Sequence, residues 1–246
     1  MRAILLAAGR GSRMGSLTRE QPKCLTPLDG RPLVEWQLQA LRGGGAGDIA
    51  VVTGYMGHLL DGYGLRRFEN PRWAETQMVR SLACAAEWLR EGPCLVSYSD
   101  IVYEPAVVRT LAAAPGELAI SYHTGWLDIW KARFDDPLSD AETFRVADDG
   151  RLLEIGRRAT HLGDIQGQYM GLLRFTPRAW ADVEALLASL EPAVADKVDM
   201  TSLLGRLLAA GVRIDATPVS GEWWEVDNEH DLRVYEARLA AARGLL

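Results

Sequence analysis

A glycine-containing turn after an apolar segment is the first feature of the sequence that could do chemistry. The apolar segment Arg2–Ala8 is followed by Gly9 and Gly11, and Lys23 lies further along the chain. Because glycines carry no Cβ, they let backbone N–H groups approach phosphate oxygens closely. The pattern is not a dinucleotide fingerprint, because Met14 stands where the third glycine is required, and Lys23 lacks the neighbours of a Walker A lysine. The turn therefore predicts a polyphosphate site.

The distribution of charge supports a bound anion at the N-terminus. The whole chain has a net charge of −6, which argues against general nucleic-acid binding. Residues 1–31 are nevertheless basic, with Arg2, Arg10, Arg13, Arg19, Lys23 and Arg31 against the acids Glu20 and Asp29. A basic, glycine-containing segment on an acidic chain predicts a phosphate ligand. Charge alone fits a solvated basic surface equally well.

Other site chemistries find little support in the sequence. The histidines form neither an HExxH nor an HxH pattern, so no zinc site is predicted. The three cysteines make no CxxC pair and no even disulfide set. No apolar run approaches the roughly 20 residues that cross a bilayer. These observations predict a cytoplasmic protein with neither a nucleic-acid nor a membrane partner.

Strands that alternate with helices would position the N-terminal turn. A chain of 246 residues with 48% apolar residues can form one large globular domain. Buried strands are predicted at 2–8, 48–53, 94–98 and 117–122, and helices after Pro32, from Met78 to Leu89 and after Pro105. This alternation implies a largely parallel sheet covered by helices on both faces.

The pattern changes after residue 125. Asp148–Gly150 predicts a hairpin turn between strands 143–147 and 151–155. A further strand is predicted at 168–175, a helix capped by Thr176, a second helix capped by Thr201, strands 212–219 and 223–226, and a last helix. We predict one domain over residues 1–246, with an inserted lobe at about 120–175.

Several segments resemble the nucleotidyltransferases that make sugar nucleotides and CDP-alcohols. LAAGRGSRM at 6–14 with PKCL at 22–25 resembles the family signature, and VVTGY at 51–55 its second strand and turn. The segments similar to the phosphocholine- and phosphonate-cytidylyltransferase branch are NPRWAETQMVRSL at 70–82, DAE at 140–142, QGQYMG at 166–171 and MT at 200–201. The resemblance implies an α/β fold, a three-layer α/β/α sandwich around a Rossmann-like, mixed but mostly parallel sheet, with the inserted lobe on the acceptor side.

The resemblance also implies a reaction and its residues. The reaction is a Mg²⁺-dependent transfer of CMP from CTP to a small phosphonate or phosphomonoester. SYSD at 97–100 and WEVDN at 224–228 resemble the two metal segments, so Asp100 and Asp227 would hold Mg²⁺, although either alone could be a helix N-cap. Arg13 and Lys23 would be catalytic, with Arg13 on the departing phosphates and Lys23 between the α-phosphate and the acceptor oxygen. The implied nucleotide-binding residues are Leu6, Ala7, Ala8, Gly9, Arg10, Gly11, Ser12, Gly54, Gln77 and Ser81.

Two kinds of acceptor pocket remain open from the sequence. The candidate acceptor residues are Trp126, Trp130, Lys131, Arg133, Tyr169 and Trp224. A tryptophan cage near Asp140, Glu142 and Glu222 would suit a choline or aminoethyl cation. Alternatively, a basic cluster of Lys131, Arg133, Arg157 and Arg158 would suit a carboxylate-bearing acceptor such as phosphonoformate.

Two other functions compete with cytidylyl transfer. One is a sugar-1-phosphate nucleotidyltransferase that uses UTP, GTP or dTTP, because the preference for cytidine rests on the branch resemblance alone. The other is a non-catalytic nucleotide-binding homologue, which would have no need for Arg13, Lys23, Asp100 and Asp227 together. A homodimer would be ordinary for the family, and no interface stripe identifies one.

Overall fold

The computed structural model describes the backbone of residues 1–244 and the side chains of residues 1–241. The strands are β1 (Arg2–Ala7), β2 (Pro27–Leu28), β3 (Arg31–Pro32), β4 (Ile49–Thr53), β5 (Arg66–Glu69), β6 (Cys94–Tyr98), β7 (Ile101–Tyr103), β8 (Leu118–His123), β9 (Glu142–Val146), β10 (Leu152–Arg158), β11 (Gln168–Phe175), β12 (Asp215–Val219) and β13 (Trp223–Glu225). The α-helices are α1 (Leu33–Gly43), α2 (Met78–Ala83), α3 (Ala86–Glu91), α4 (Pro105–Ala112), α5 (Trp126–Arg133), α6 (Pro177–Ser189), α7 (Pro192–Ala195), α8 (Met200–Ala209) and α9 (Glu229–Gly244). Within the described part of the chain, no helix is long and apolar enough to cross a membrane.

A seven-stranded sheet in the described residues forms the centre of the molecule, in the order β12-β8-β11-β6-β1-β4-β5. Neighbouring strands are parallel except at β11, which runs antiparallel to both β6 and β8. The apolar strand β1 lies between β4 and β6, so both of its hydrogen-bonding edges are paired, and residues 3–7 are buried. The prediction of a mixed, mostly parallel sheet is confirmed.

Helices cover both faces of the sheet. Because successive side chains of a strand point in opposite directions, neighbouring residues of one strand pack against different helices. Ile4 and Leu6 of β1 belong to a core that also contains residues of α2, α3, α6 and α8. Ala3 and Leu5 belong to a second core that contains residues of α1 and α4. The predicted three-layer sandwich is therefore confirmed.

Two helix predictions differ from the structure in detail. The apolar repeat from Met78 to Leu89 forms two helices, α2 and α3, because the chain tightens into i→i+3 hydrogen bonds at Cys84 and Ala85. Both helices still face the same core, so the repeat itself cannot reveal the break. Helix α8 is capped by Asp199, which accepts a hydrogen bond from the Ser202 N–H, rather than by Thr201.

The predicted insertion is shorter in the structure than in the sequence pattern. Strands β8 and β11, near its two ends, belong to the central sheet. The segment between them contains α5 and the β9–β10 hairpin. Residues 124–167 thus leave the sheet after β8 and return at β11, while the role of this segment toward an acceptor stays a prediction.

Candidate active site

A cavity of about 470 Å³ opens at the carboxyl ends of β1 and β6. This volume lies within the usual range for small-molecule sites, and the carboxyl ends of parallel strands are where such folds bind ligands. The turn Gly9–Arg13 lies on one side of the cavity and the segment Thr76–Ser81 contributes to another. Lys23, Asp100 and Asp227 also line the cavity, so the structure brings the predicted phosphate and metal residues together.

Lys23 reaches the cavity by packing against Gly11. Gly11 has a φ of +72°, and a Cβ built on it would lie 2.7 Å from the Lys23 Cβ. Glycine is therefore required there both for the left-handed backbone and for the space that the lysine stem fills. The Lys23 side chain is only 9% exposed, so its charge must be matched inside the protein.

Two aspartates supply that match. The Lys23 Nζ lies 2.7 Å from Asp100 Oδ2 and 2.7 Å from Asp227 Oδ1. Burial opposes the charged form of Lys23, but the two carboxylates outweigh burial and raise the Lys23 pKa above its ordinary value. Burial likewise opposes ionisation of Asp227, but Lys23, Arg13 and Arg133 outweigh it and hold the Asp227 pKa below its ordinary value. Lys23 is thus a cation and Asp227 an anion at neutral pH.

A short antiparallel ribbon brings the two aspartates side by side. Strand β7 pairs with β13, and Asp100 directly precedes β7 while Asp227 follows β13 by two residues. The Val226 N–H donates to the Asp100 carbonyl oxygen over 2.9 Å, which extends the pairing to the end of the ribbon where the two aspartates lie. Neither aspartate caps a helix: helix α9 has the side chain of Asn228 bonded to the N–H groups of His230 and Asp231.

The donor set fits a hard divalent cation. The Asp100 Oδ1 is buried without a hydrogen-bond partner in the described residues, and so one carboxylate oxygen is left for a ligand. Among residues 1–244 no group of three or more His, Cys, Asp or Glu side chains could hold a metal, so two carboxylates would be the protein's share. That share is typical of Mg²⁺, which is usually held by one or two carboxylates together with substrate phosphates.

Some of the predicted nucleotide-binding residues line the cavity and others do not. The lining residues are Leu6, Ala8, Gly9, Gly11, Ser12, Gln77 and Ser81, and Arg13, predicted as catalytic, lines the cavity as well. Ala7 is buried on the opposite face of β1, as expected from the alternation of a strand. Arg10 is exposed, with its guanidinium 5.7 Å from the centre of the Tyr55 ring. Gly54 does not line the cavity; it leaves room for Trp73, whose side chain a Cβ there would meet.

Trp73 and Tyr98 line the cavity, although we did not single them out from the sequence. Trp73 lies edge-on to Tyr55, with ring centres 5.2 Å apart. Its position in the segment at 70–82 was the signal that could have found it. The same segment is held by Asn70, whose Nδ2 donates to Thr76 Oγ1 over 2.9 Å and to Ser81 Oγ over 3.0 Å.

The predicted tryptophan cage does not form. Trp126 and Trp130 of α5 are 5% and 3% exposed and belong to the core under the sheet. Trp130 stacks on Trp223 with ring centres 5.8 Å apart. Trp224 stacks on Tyr235 of α9 and is buried in a third core cluster. These four tryptophans are packing residues, and none of them lines the cavity.

The predicted basic acceptor pocket does not form either. The Arg133 side chain is fully buried and pairs with Asp231 and Glu225. Lys131 and Arg158 are exposed, and the Arg157 side chain is 81% exposed. Because Arg133 faces inward while the other three face solvent, the four cations do not converge on one ligand.

An aromatic pair at the cavity wall is present instead, with Glu142 close enough to act on Tyr169. Tyr98 contacts Tyr169 edge-on, with ring centres 5.8 Å apart, and the Tyr169 hydroxyl is buried. Burial raises the pKa of Glu142 to about 7, and Asp199 and Asp140 add to that effect. The pKa of Asp140 is raised as well, by partial desolvation of its carboxyl group and by the charge of Asp227, although the residue as a whole is exposed. Of the predicted acceptor residues, Tyr169 is therefore the one that contacts the cavity lining, through the ring of Tyr98.

Comparisons with known proteins agree with this geometry. A model of the MobA-like NTP transferase domain matches residues 3–199. The chain is 33% identical to the CTP:phosphoglutamine cytidylyltransferase of Campylobacter jejuni, with 95% of this chain and 98% of that protein covered. It is also 33% identical to the 2-aminoethylphosphonate cytidylyltransferase of Lancefieldella rimae, over 41% of this chain and 43% of that protein.

The solved structure of the inositol-1-phosphate CTP transferase from T. maritima shares the fold. Its TM-score is 0.76 at 21% identity, and the match covers 96% of this chain and 93% of that one. The fold, the family model and the nearly full-length relative all agree. This chain belongs to the MobA-like NTP transferase domain family and is a nucleotidyltransferase of the cytidylyltransferase branch.

Proposed function

We propose that the protein transfers CMP from CTP to a phosphate or phosphonate oxygen of a small acceptor and releases pyrophosphate, with Mg²⁺ as the cofactor. The observation that carries the proposal is the position of Lys23 between Asp100 and Asp227, in the same cavity as the Gly9–Arg13 turn. The likeness over almost the whole chain to a cytidylyltransferase of Campylobacter jejuni supports CTP as the donor.

The reaction joins two anions, and the residues of the cavity serve to reduce their repulsion. An acceptor oxygen forms a bond to the α-phosphorus of CTP while the bond from that phosphorus to the bridging oxygen breaks, and pyrophosphate leaves with the electron pair. No strong base is required, because a phosphate or phosphonate oxygen is already largely ionised at neutral pH. Catalysis then rests on alignment and charge stabilisation.

The cations of the cavity are placed for that role. Arg13 and the backbone of Gly9–Ser12 would bind the β- and γ-phosphates, since they form the turn at the end of β1. Lys23 would supply a buried positive charge near the transferred phosphoryl group. Asp100 and Asp227 would hold Mg²⁺, which supplies charge neutralisation and orientation of the phosphates when it is bound.

The acceptor that fits best carries an ammonium group near its phosphate. Glu142 acts electrostatically on Tyr169, so above its pKa of about 7 it would add negative charge behind the aromatic pair of Tyr98 and Tyr169, the combination that binds organic cations. No cluster of Lys131, Arg133, Arg157 and Arg158 is available to a carboxylate. A relative from Streptococcus pneumoniae, 36% identical over 36% of this chain, is a choline-phosphate cytidylyltransferase.

Pyrophosphate release tests the reaction. The enzyme would be assayed with Mg²⁺ and each of CTP, UTP, GTP, ATP and dTTP, against phosphocholine, 2-aminoethylphosphonate, phosphoglutamine, phosphonoformate and glucose 1-phosphate. We expect release with CTP and at least one amine-bearing acceptor. Release only with glucose 1-phosphate would establish a sugar nucleotidyltransferase instead, and CTP binding without release from any acceptor would favour a non-catalytic binder.

The Glu142→Gln variant tests the nature of the acceptor pocket. At pH 8, above the Glu142 pKa of about 7, loss of the carboxylate should raise the KM for an amine-bearing acceptor by about tenfold, since a charged pair is lost at a partly buried site, and leave the KM for CTP unchanged. The matched control is Glu184→Gln, which alters a partly exposed carboxylate paired with Arg90 on the helical face remote from the cavity. An unchanged acceptor KM in Glu142→Gln would remove Glu142 from the pocket.

A further inference from the structure

Arg133 is a buried arginine that does not line the cavity and is paired with acidic side chains of the protein. Its side chain is fully buried at the end of α5, and its guanidinium lies over the rings of Trp130 and Phe134. The Nε donates to Asp231 Oδ1 over 2.9 Å, and the Nη1 donates to Glu225 Oε2 over 3.0 Å. A guanidinium that is satisfied in this way does not bind substrate.

Asp231 links this arginine to the backbone of a proposed metal ligand. The Asp231 Oδ2 accepts from Arg133 Nη2 over 3.1 Å and from the Asp227 N–H over 2.9 Å. Asp231 is itself fully buried in the first turn of α9. Its carboxylate therefore fixes the peptide of Asp227 and is fixed in turn by the planar, two-pronged guanidinium.

Arg133 also acts directly on the Asp227 side chain. The Arg133 Nη2 lies 3.6 Å from Asp227 Oδ2, the oxygen that also lies 3.1 Å from Arg13 Nη1. The other oxygen, Oδ1, contacts Lys23. The Asp227 carboxylate therefore contacts Arg133, which does not line the cavity, as well as Arg13 and Lys23, which do.

We infer that Arg133 and Asp231 form a positioning pair that sets the backbone and carboxylate of Asp227 for divalent-cation binding. The inference rests on the proposed role of Asp227 as a metal ligand. It assigns to Arg133 a function in the reaction that differs from acceptor binding. It also gives α5 a physical link to the metal site, because Arg133 lies in the segment inserted between β8 and β11 while Asp227 and Asp231 follow β13.

Metal affinity is the property that separates positioning from simple stabilisation. Groups that orient a metal ligand through hydrogen bonds typically change metal affinity by about 10- to 100-fold when they are removed. A pair that only stabilised the fold would lower the melting temperature and leave the affinity of the folded protein intact.

The experiment measures Mn²⁺ binding by electron paramagnetic resonance in the presence of CTP and without acceptor, with CTP alone as the blank. The variants are Arg133→Lys, which keeps the charge but loses the planar fork, and Asp231→Asn, which keeps the shape but loses the charge. The matched control is Arg174→Lys, because Arg174 is also buried but donates to the carbonyl oxygens of Ala114, Pro115 and Gly116. Circular dichroism identifies the folded fraction, and CTP affinity in EDTA reports on the nucleotide pocket.

We expect both variants to bind Mn²⁺ at least about tenfold more weakly than the wild type, with CTP affinity in EDTA within twofold. The control should lose stability and still bind Mn²⁺ within twofold of the wild type. Wild-type affinity in folded Arg133→Lys and Asp231→Asn would overturn the inference and leave the proposed function intact. Absence of Mn²⁺ binding by the wild type itself would contradict the role of Asp227, and with it the proposed function.

Discussion

Lys23 donates from its ammonium group to Asp227 over 2.7 Å, although the two residues are 204 positions apart in the chain. The same ammonium lies 2.7 Å from Asp100. A positive charge of the protein therefore lies between the two carboxylates that would hold Mg²⁺. Since both cations would draw on the same two carboxylates, the ammonium and the metal should compete whenever no nucleotide is bound.

Replacement of Lys23 by methionine should separate its two effects. Without nucleotide, Lys23→Met should bind Mn²⁺ at least about tenfold more tightly than the wild type, because the competing cation is gone; each tenfold corresponds to about 1.4 kcal/mol. With all substrates present, kcat should fall by at least about 10²-fold through lost charge stabilisation. Electron paramagnetic resonance and pyrophosphate release measure the two effects.

The control for Lys23→Met is Arg178→Met, which removes an exposed cation of α6 paired with Asp182. It should change neither metal binding nor kcat. Unchanged Mn²⁺ affinity in Lys23→Met would show that the ammonium does not compete with the metal. A change confined to the KM for CTP would move Lys23 out of the reaction centre.

Replacement of Asp100 by asparagine should abolish turnover while CTP still binds at low Mg²⁺. The buried Asp100 Oδ1 has no hydrogen-bond partner in the described residues. The substitution therefore breaks no hydrogen bond of that atom and removes the negative charge that would bind the metal. Pyrophosphate release and equilibrium CTP binding measure the two properties. Asp61→Asn, at an exposed carboxylate paired with Arg67, is the control. Turnover within a few-fold of the wild type would show that Asp100 is not a metal ligand.

Replacement of Gly11 by alanine should impair catalysis beyond its effect on stability. The positive φ of +72° would cost an alanine roughly 1–2 kcal/mol of folding free energy. In addition, the new Cβ would lie 2.7 Å from the Lys23 Cβ, so the lysine must shift, and kcat should fall at least about tenfold. Thermal unfolding and pyrophosphate release measure the two effects.

Gly45→Ala separates backbone strain from the contact with Lys23. Gly45 also has a positive φ, +98°, but nothing lies within 4 Å of a Cβ built there. It should lose stability and keep the wild-type kcat. Equal loss of kcat in the two alanine variants would mean that the packing of Lys23 against Gly11 has no catalytic consequence.

The raised pKa of Glu142 predicts how its replacement affects stability at different pH. The pKa lies at about 7 in the folded protein against an ordinary 4.5, so between these values the folded protein binds more protons than the unfolded chain. The free energy of unfolding therefore falls as the pH rises through this window. Glu142→Gln removes this contribution, so its melting temperature relative to the wild type should increase from pH 5 to pH 8.

Only part of the wild-type decline should disappear in Glu142→Gln. Burial also raises the pKa of Glu225 to about 7, and that carboxyl contributes in the same direction. Calorimetric melting of both proteins at several pH values measures the difference. A difference in melting temperature that stays constant from pH 5 to pH 8 would contradict the assignment of the proton to Glu142.

The sequence by itself determined the layered α/β fold and indicated the sheet edge at which the candidate site lies. Strand β1, the turn Gly9–Arg13 and the aspartate after β6 each have a local signature in residue type and order. These signatures are sufficient because parallel strands end at one edge of a sheet, so residues that follow different strands meet there. Local order also carried the branch resemblance, which the family match and the nearly full-length relative confirm.

Only the tertiary structure decided which aromatic and basic side chains face the cavity. Trp130 and Arg133 have the residue types of a ligand pocket, yet both are buried against partners that lie far along the chain. Asp231 is 98 residues from Arg133, and no local pattern records that pairing. Burial and ion pairing depend on contacts between distant segments, which residue type and spacing do not specify. The sequence predicted Lys23 and Asp227 as site residues. Their contact joins distant segments, so only the folded chain shows it.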